Sequence, residues 1–186
     1  MKIASYDPQD VIGNTIGELE RQDPFALCPV EVQGGGVYVL YYAGPHDLYR
    51  EIRSPDATVP IYVGSTINMA SRLRGHCRSL DSVWNLERKD FLCRCLLLPR
   101  GMELWVEQEF MALRKPWWNQ PEFKGFGTGH PRNDGHASPW DVLHPGRKAA
   151  LKLNRPDEAK VQLQKKLAVQ EQLQPTILDL FPPLSR

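Results

Sequence analysis

Three short runs of β-forming residues, each closed by glycine or proline, confine this chain to a small sheet with helices packed around it. The first, Val37-Tyr38-Val39-Leu40-Tyr41-Tyr42, lies between Gly36 and Gly44. The second, Val59-Pro60-Ile61-Tyr62-Val63, ends on Gly64, and the third, Phe91 to Leu98, is stopped by Pro99. Branched and aromatic residues in runs of this length, punctuated by Gly and Pro, predict strands. The connection between the first two is long for a hairpin, with Pro45, Pro55 and Asp56 marking turns.

Helical periodicity fills the intervals between these runs. Val11, Ile12, Ile16 and Leu19 approximate one helical stripe. Ser65 or Thr66 can cap a short helix that carries Met69, Arg72, Leu73, Arg74 and His76 and ends near Gly75, and Asp81 to Leu86 reads as a second helical stretch. Met102 to Leu113, with Leu104, Trp105, Phe110, Met111 and Leu113 as apolar positions, is a helix ended by Pro116. The expected fold is an α/β (α+β) domain: a small central antiparallel sheet of three strands flanked by helices, with a loop-rich insertion and a C-terminal helix. Its expected divisions are an N-terminal extension (1–33), a module holding the strands (34–121), and a loop-rich region with a polar helix over Asp157 to Leu173 (122–186).

Bulk charge adds little. With 23 Lys+Arg against 22 Asp+Glu the net charge is +1, so any nucleic-acid site must be a local patch. The start, MKIASYDPQD, lacks the basic and apolar segments of an export signal, and no apolar run is long enough to span a bilayer. The expectation is a cytoplasmic protein with no membrane partner. Cys28, Cys77, Cys93 and Cys95 contain no CxxC pair, which favours reduced thiols over a disulfide framework. A zinc site from His76, Cys77, Cys93 and Cys95 is outweighed by the alternation of Cys93 and Cys95 with Leu92 and Leu96, which reads as buried strand.

The segment 121–147 is dense in Gly, Pro, His, Asn and Asp and longer than an ordinary connection. Its apolar residues Phe123, Phe126, Trp140, Val142 and Leu143 favour an ordered loop. His130, His136 and His144, with Arg132, Asn133, Arg147 and Lys148, supply side chains able to read bases or contact phosphates in a groove.

Chemistry concentrates elsewhere. Hydrolysis of a phosphodiester needs an activated water, a cation against developing phosphate charge, and help for the leaving oxygen. Glu107 is a hard oxygen ligand on a helix and suits Mg²⁺, which keeps most of its waters. Arg72 offers permanently charged planar donors, and His76, four residues on, shares its helix face. Tyr38 and Tyr62 stand on neighbouring strands, where a phenol beside His76 could act as, or orient, a general base. Arg74 and Arg78 extend the basic patch as backbone contacts, and Trp117 and Trp118 read as anchors.

In this order, Gly36-Val37-Tyr38, Tyr62-Val63-Gly64, Arg72 with His76, Glu107, and Asn119 after Pro116-Trp117-Trp118 closely resemble the GIY-YIG nuclease superfamily. The resemblance is closest to its type II restriction endonucleases, which share the Arg–His spacing and the twelve-residue step from Glu107 to Asn119. Ser138-Pro139-Trp140-Asp141-Val142-Leu143-His144-Pro145-Gly146-Arg147 also looks like the sequence that follows the module in that branch. The resemblance implies a Mg²⁺-dependent endonuclease of a restriction-modification system, with Mn²⁺ able to substitute. It further implies a homodimer that cuts double-stranded DNA at a GC-only palindrome, CCGCGG, beside a cognate DNA methyltransferase.

Carried over by resemblance, Tyr38 orients or deprotonates the attacking water and His76 accepts the phenol proton. Tyr62 holds the water or the phosphate, Arg72 balances the phosphorane-like charge, Glu107 is the sole protein ligand of the metal, and Asn119 fixes the phosphate or the hydrogen bonds of the site. Both motif centres are Val where the family has Ile, and Ser65 stands where a lysine often follows the second glycine. The competing readings are a repair or homing nuclease of the same superfamily, and a nucleic-acid-binding module that has lost catalysis.

Overall fold

The computed structural model describes residues 8–28, 32–121, 123, 125–127, 138–144 and 146. Helix α1 (Pro8–Arg21) leads to a two-residue strand β1 (Phe25–Ala26) and to β2 (Gly36–Tyr42) and β3 (Pro60–Thr66). Helix α2 (Met69–Asp81), β4 (Phe91–Leu97), helix α3 (Met102–Arg114) and helix α4 (Pro139–Leu143) follow. The strands pair antiparallel in the order β1-β4-β2-β3. The three expected strands are present, but the sheet has four. Phe25 and Ala26 pair with Cys93 and Leu92 of β4, and two residues are too few to leave an alternation in the sequence.

Every residue of β2 is buried, because both faces of the sheet are covered. Tyr38, Leu40 and Tyr42 face a layer that holds Met69, Leu73 and Leu80 of α2 together with Trp118. Val37, Val39 and Tyr41 face Ile16 and Leu19 of α1 and Val106 and Phe110 of α3. Each fully buried aliphatic or aromatic side chain contributes about 1.5–3 kcal/mol. The N-terminal segment is therefore part of both layers, with Leu27 in the first and Ile16 and Leu19 in the second.

Several local expectations change. Helix α2 continues through Gly75 to Asp81, and residues 82–86 form no separate helix. An interior glycine costs about 1 kcal/mol, which the buried stripe Met69, Ala70, Leu73, His76, Cys77 and Leu80 outweighs. The cap is Asn68, whose side chain accepts from the Ser71 N–H at 3.0 Å, and not Ser65 or Thr66. On α3 the buried residues are Val106 and Phe110, while Leu104, Trp105 and Leu113 are exposed, because the helix meets the sheet on a narrow face. Cys28 and Cys77 form a disulfide, with their Cα atoms 6.5 Å apart, which corrects the expectation of reduced thiols throughout. The packing of α2 over the segment after β1 brings together two cysteines 49 positions apart, a distance that carries no local signal. Cys93 is buried in β4, and Cys95 is also free.

Beyond Asn119 the apolar anchors Phe123, Phe126, Trp140 and Leu143 are buried as expected. Helix α4 starts on a reciprocal cap between Ser138 and Asp141. His144 corrects its expected part in base reading: it is fully buried, hydrogen-bonded through Nε2 to the Tyr49 hydroxyl and through Nδ1 to Asn85 Oδ1 at 3.0 Å. Trp118 Nε1 donates to the same Tyr49 hydroxyl at 2.9 Å, so this network fastens the segment around α4 to the core. Arg132, Asn133, Arg147 and Lys148, and the helix expected over Asp157 to Leu173, lie outside the described residues.

Candidate active site

The register of β2 against β3 pairs Tyr38 with Gly64 and Leu40 with Tyr62, which turns both phenols toward α2. Their ring centroids are 6.1 Å apart. Gly64 makes this possible: a Cβ there would lie 2.3 Å from the Tyr38 hydroxyl oxygen, so any side chain would displace the phenol. Arg72 and His76 project from α2 onto the same two rings, as their spacing of four requires. Tyr38 Oη and His76 Nε2 share a hydrogen bond of 2.7 Å, and Arg72 Nε donates to Tyr38 Oη at 3.0 Å.

Burial governs the protonation of this group. The Tyr38 phenol is held well above its ordinary value, first by desolvation and then by Tyr62, with Arg72 opposing. Tyr62 is raised by burial as well, with Arg72 opposing and Glu107 adding to the rise. Burial, followed by the Arg72 charge, lowers the His76 imidazole to about 3. At neutral pH the cluster is thus two neutral phenols, a neutral imidazole and one guanidinium.

Glu107 stands on α3 at the border of the cluster, half-buried, and accepts a hydrogen bond from the Ser65 hydroxyl of β3. Among the other glutamates of that helix, Glu103 turns back to accept from the Gly101 N–H at 2.6 Å. No group of three or more His, Cys, Asp or Glu side chains converges on one point among the described residues. One carboxylate flanked by a serine hydroxyl and a phenol fits a hard cation that keeps most of its water, and does not fit a thiolate or multi-histidine centre.

Asn119 is bonded to the strand main chain next to Tyr62. Its Oδ1 accepts from Val63 N–H and its Nδ2 donates to Val63 O, both at 2.9 Å, so its amide brackets the outer main chain of β3. That geometry fixes the strand that carries Tyr62. A cleft of about 290 Å³ opens before the cluster, lined by Thr66, Asn68, Ser71, Arg72, His76 and Arg78, among others. Arg74 and Arg78 line an adjoining groove with Asn68 and Ser71. The expected residues Tyr38, Tyr62, Arg72 and His76 therefore come together, Glu107 borders them, and Arg74 and Arg78 flank the opening. Sequence reasoning missed the Ser65–Glu107 contact, since a serine after a strand glycine carries no signal of its own.

The buried imidazoles set a pH dependence. His76 and His144 are both lowered to about 3, His76 by burial and then Arg72, His144 by burial and then His46. Below the free imidazole value of about 6.5 the unfolded chain binds protons that the native one refuses, so stability falls from there toward pH 3. The slope is up to about 1.4 kcal/mol per pH unit for each histidine. Urea midpoints measured at pH 7.5, 5.5 and 4.5 should decrease in that order; a flat series would contradict the burial of these rings.

A family model described as the Eco29kI GIY-YIG domain matches residues 30–172, a span that includes β2, β3, α2, β4, α3 and α4. No curated protein matches the chain. The match covers most of the chain and every residue of the cluster just described. The chain belongs to the Eco29kI GIY-YIG domain family, a family of restriction-type endonucleases that act on DNA.

Proposed function

We propose that this chain is a type II restriction endonuclease that hydrolyses double-stranded DNA at a short GC-only palindrome, CCGCGG, as a homodimer with one active site per strand. The observation that carries the reading is the hydrogen bonding of His76 and Arg72, which line an open cleft, to the buried Tyr38 hydroxyl, with Glu107 tied through Ser65 to the strand that carries Tyr62. GIY-YIG nucleases generally use divalent metal ions, and the donor set around Glu107 suits Mg²⁺, with Mn²⁺ as a substitute. When bound there, the ion supplies charge against the developing phosphate and the leaving oxygen.

The side chains do the rest. Arg72 Nε–H donates to the Tyr38 oxygen, which directs the single phenol proton at His76 Nε2 and leaves the ring proton on Nδ1. A water in line with the scissile phosphate passes its proton to the Tyr38 oxygen as the phenol proton moves to His76. Tyr62 orients the water or the phosphate, and the remaining guanidinium donors of Arg72 face the phosphate oxygens. Asn119 acts through Val63 as a positioning residue. Arg74 and Arg78 hold the backbone beside the cleft, and Arg132, Asn133, Arg147 and Lys148 read or grip the site. A cognate DNA methyltransferase protects the host sequence. The enzyme works in the cytoplasm; among the described residues no helix is long and apolar enough to cross a membrane.

A plasmid of known sequence tests this directly. Digestion with Mg²⁺ should give discrete fragments whose sequenced ends share one palindrome, and EDTA should abolish them. A smear without a common end sequence would replace restriction with a less specific nuclease.

A further inference from the structure

Phe123 and residues 125–127 lie outside the paired strands and helices, yet two of them touch the catalytic cluster. Phe126 stacks on the His76 ring, with centroids 4.5 Å apart and planes 15° apart, and meets Tyr62 edge-on at 5.2 Å. Its other contacts are Trp118 at 4.4 Å and Trp140 at 5.2 Å, both fully buried. The ring is thus wedged between the aromatic core and the imidazole. The next residue approaches with its main chain: Arg72 Nη1 donates to the Gly127 carbonyl at 2.7 Å.

Gly127 admits no substitute. Its φ of +75° is left-handed, and a Cβ would fall 2.8 Å from His76 Cε1, 2.9 Å from Tyr62 Oη and 3.1 Å from Arg72 Nη2. A side chain at this position would enter the midst of three of the cluster's residues, and Gly127 also lines the cleft before them.

Resting on the nuclease reading, we infer that the Phe126–Gly127 step is a positioning element of the active site. It clamps the His76 ring with Phe126 and the Arg72 guanidinium with the Gly127 carbonyl, and the missing side chain of Gly127 leaves the space a phosphate enters. Tyr38 already takes the Nε–H of Arg72, so the Gly127 carbonyl is the second fixed point that sets the guanidinium plane. Two anchored edges preorganise the remaining donors, and an error of about 1 Å in such a group costs on the order of a hundredfold in rate. Among the described residues the ionisable neighbours of His76 are Tyr38 and Tyr62 from the sheet and Arg72 from its own helix, and Phe126 adds an apolar face.

Two variants test the role. Gly127→Ala should slow single-turnover cleavage with Mg²⁺ at saturating protein about a hundredfold, a loss larger than the change in its binding to a cognate duplex in EDTA. Because that change also strains the backbone, Phe126→Leu, which leaves the main chain unaltered, supplies an independent arm. Isotope-edited NMR of the histidine rings should show His76 unresponsive between pH 8 and pH 5 in the native protein. In Phe126→Leu, which uncovers the ring face, it should titrate within that range. Cleavage by Gly127→Ala within about threefold of native, or a His76 titration unchanged in Phe126→Leu, overturns the positioning role. Native protein that cuts no DNA with Mg²⁺ or Mn²⁺ overturns the nuclease reading instead, and the imidazole titration then decides the strap on its own.

Discussion

Replacing Glu107 with glutamine is expected to abolish metal-dependent cleavage while leaving the fold and metal-free DNA binding in place. Glutamine has the shape of the native side chain, and its amide oxygen can still accept from Ser65, so the tie between α3 and β3 survives. What disappears is the negative charge beside Ser65, which also acts on the Tyr62 phenol. A catalytic cation contributes several kcal/mol to the transition state, so the loss should be about a thousandfold or more. Plasmid linearisation rates in Mg²⁺ report the effect, with gel shifts in EDTA and thermal melting as controls. A variant that cuts within about tenfold of native would place the metal elsewhere.

The second large effect is expected from Tyr38→Phe. The ring keeps its place over Gly64, and only the hydroxyl between His76 and Arg72 is lost. A positioned general base supplies about 10²–10⁴-fold, and single-turnover cleavage should fall by that amount. Stability should also drop, by about 1–3 kcal/mol, because the buried imidazole nitrogen loses its partner. Tyr62→Phe serves as the comparison: if it costs more than Tyr38→Phe, the roles of the two phenols are reversed.

Much of this arrangement is legible in the residues themselves. The runs at Tyr38 and Tyr62 announce neighbouring strands through composition and closing glycines, and the spacing of Arg72 and His76 fixes their common face on any helix. The choice of Glu107 over Glu103 is different. It rests on spacing to Asn119 and a family resemblance, and only the coordinates reveal Ser65 reaching Glu107 while Glu103 turns to Gly101.

The misreadings have physical causes. Strand β1 is specified by its partner β4 rather than by its own pattern, so two residues escape notice. Gly75 suggested a helix end because propensity counts against it, and the buried stripe of α2 prevailed. His144 reads as a loop histidine in a Gly/Pro-rich segment, yet Tyr49 and Asn85, distant in sequence, take both its nitrogens. Phe126 is visible as an anchor, but that its ring presses on His76 and that Gly127 follows into the cleft depend on how the chain returns across the sheet.

The Asn119 bracket on Val63 also bears on how two copies could associate. β3 is one border of the sheet, and at Val63 the hydrogen-bonding groups a foreign strand would need are occupied by a side chain of the same molecule. The opposite border is only the two residues of β1. A strand added beside Val63 would have to displace the Asn119 amide, and one added at the other border would meet a strand of only two residues.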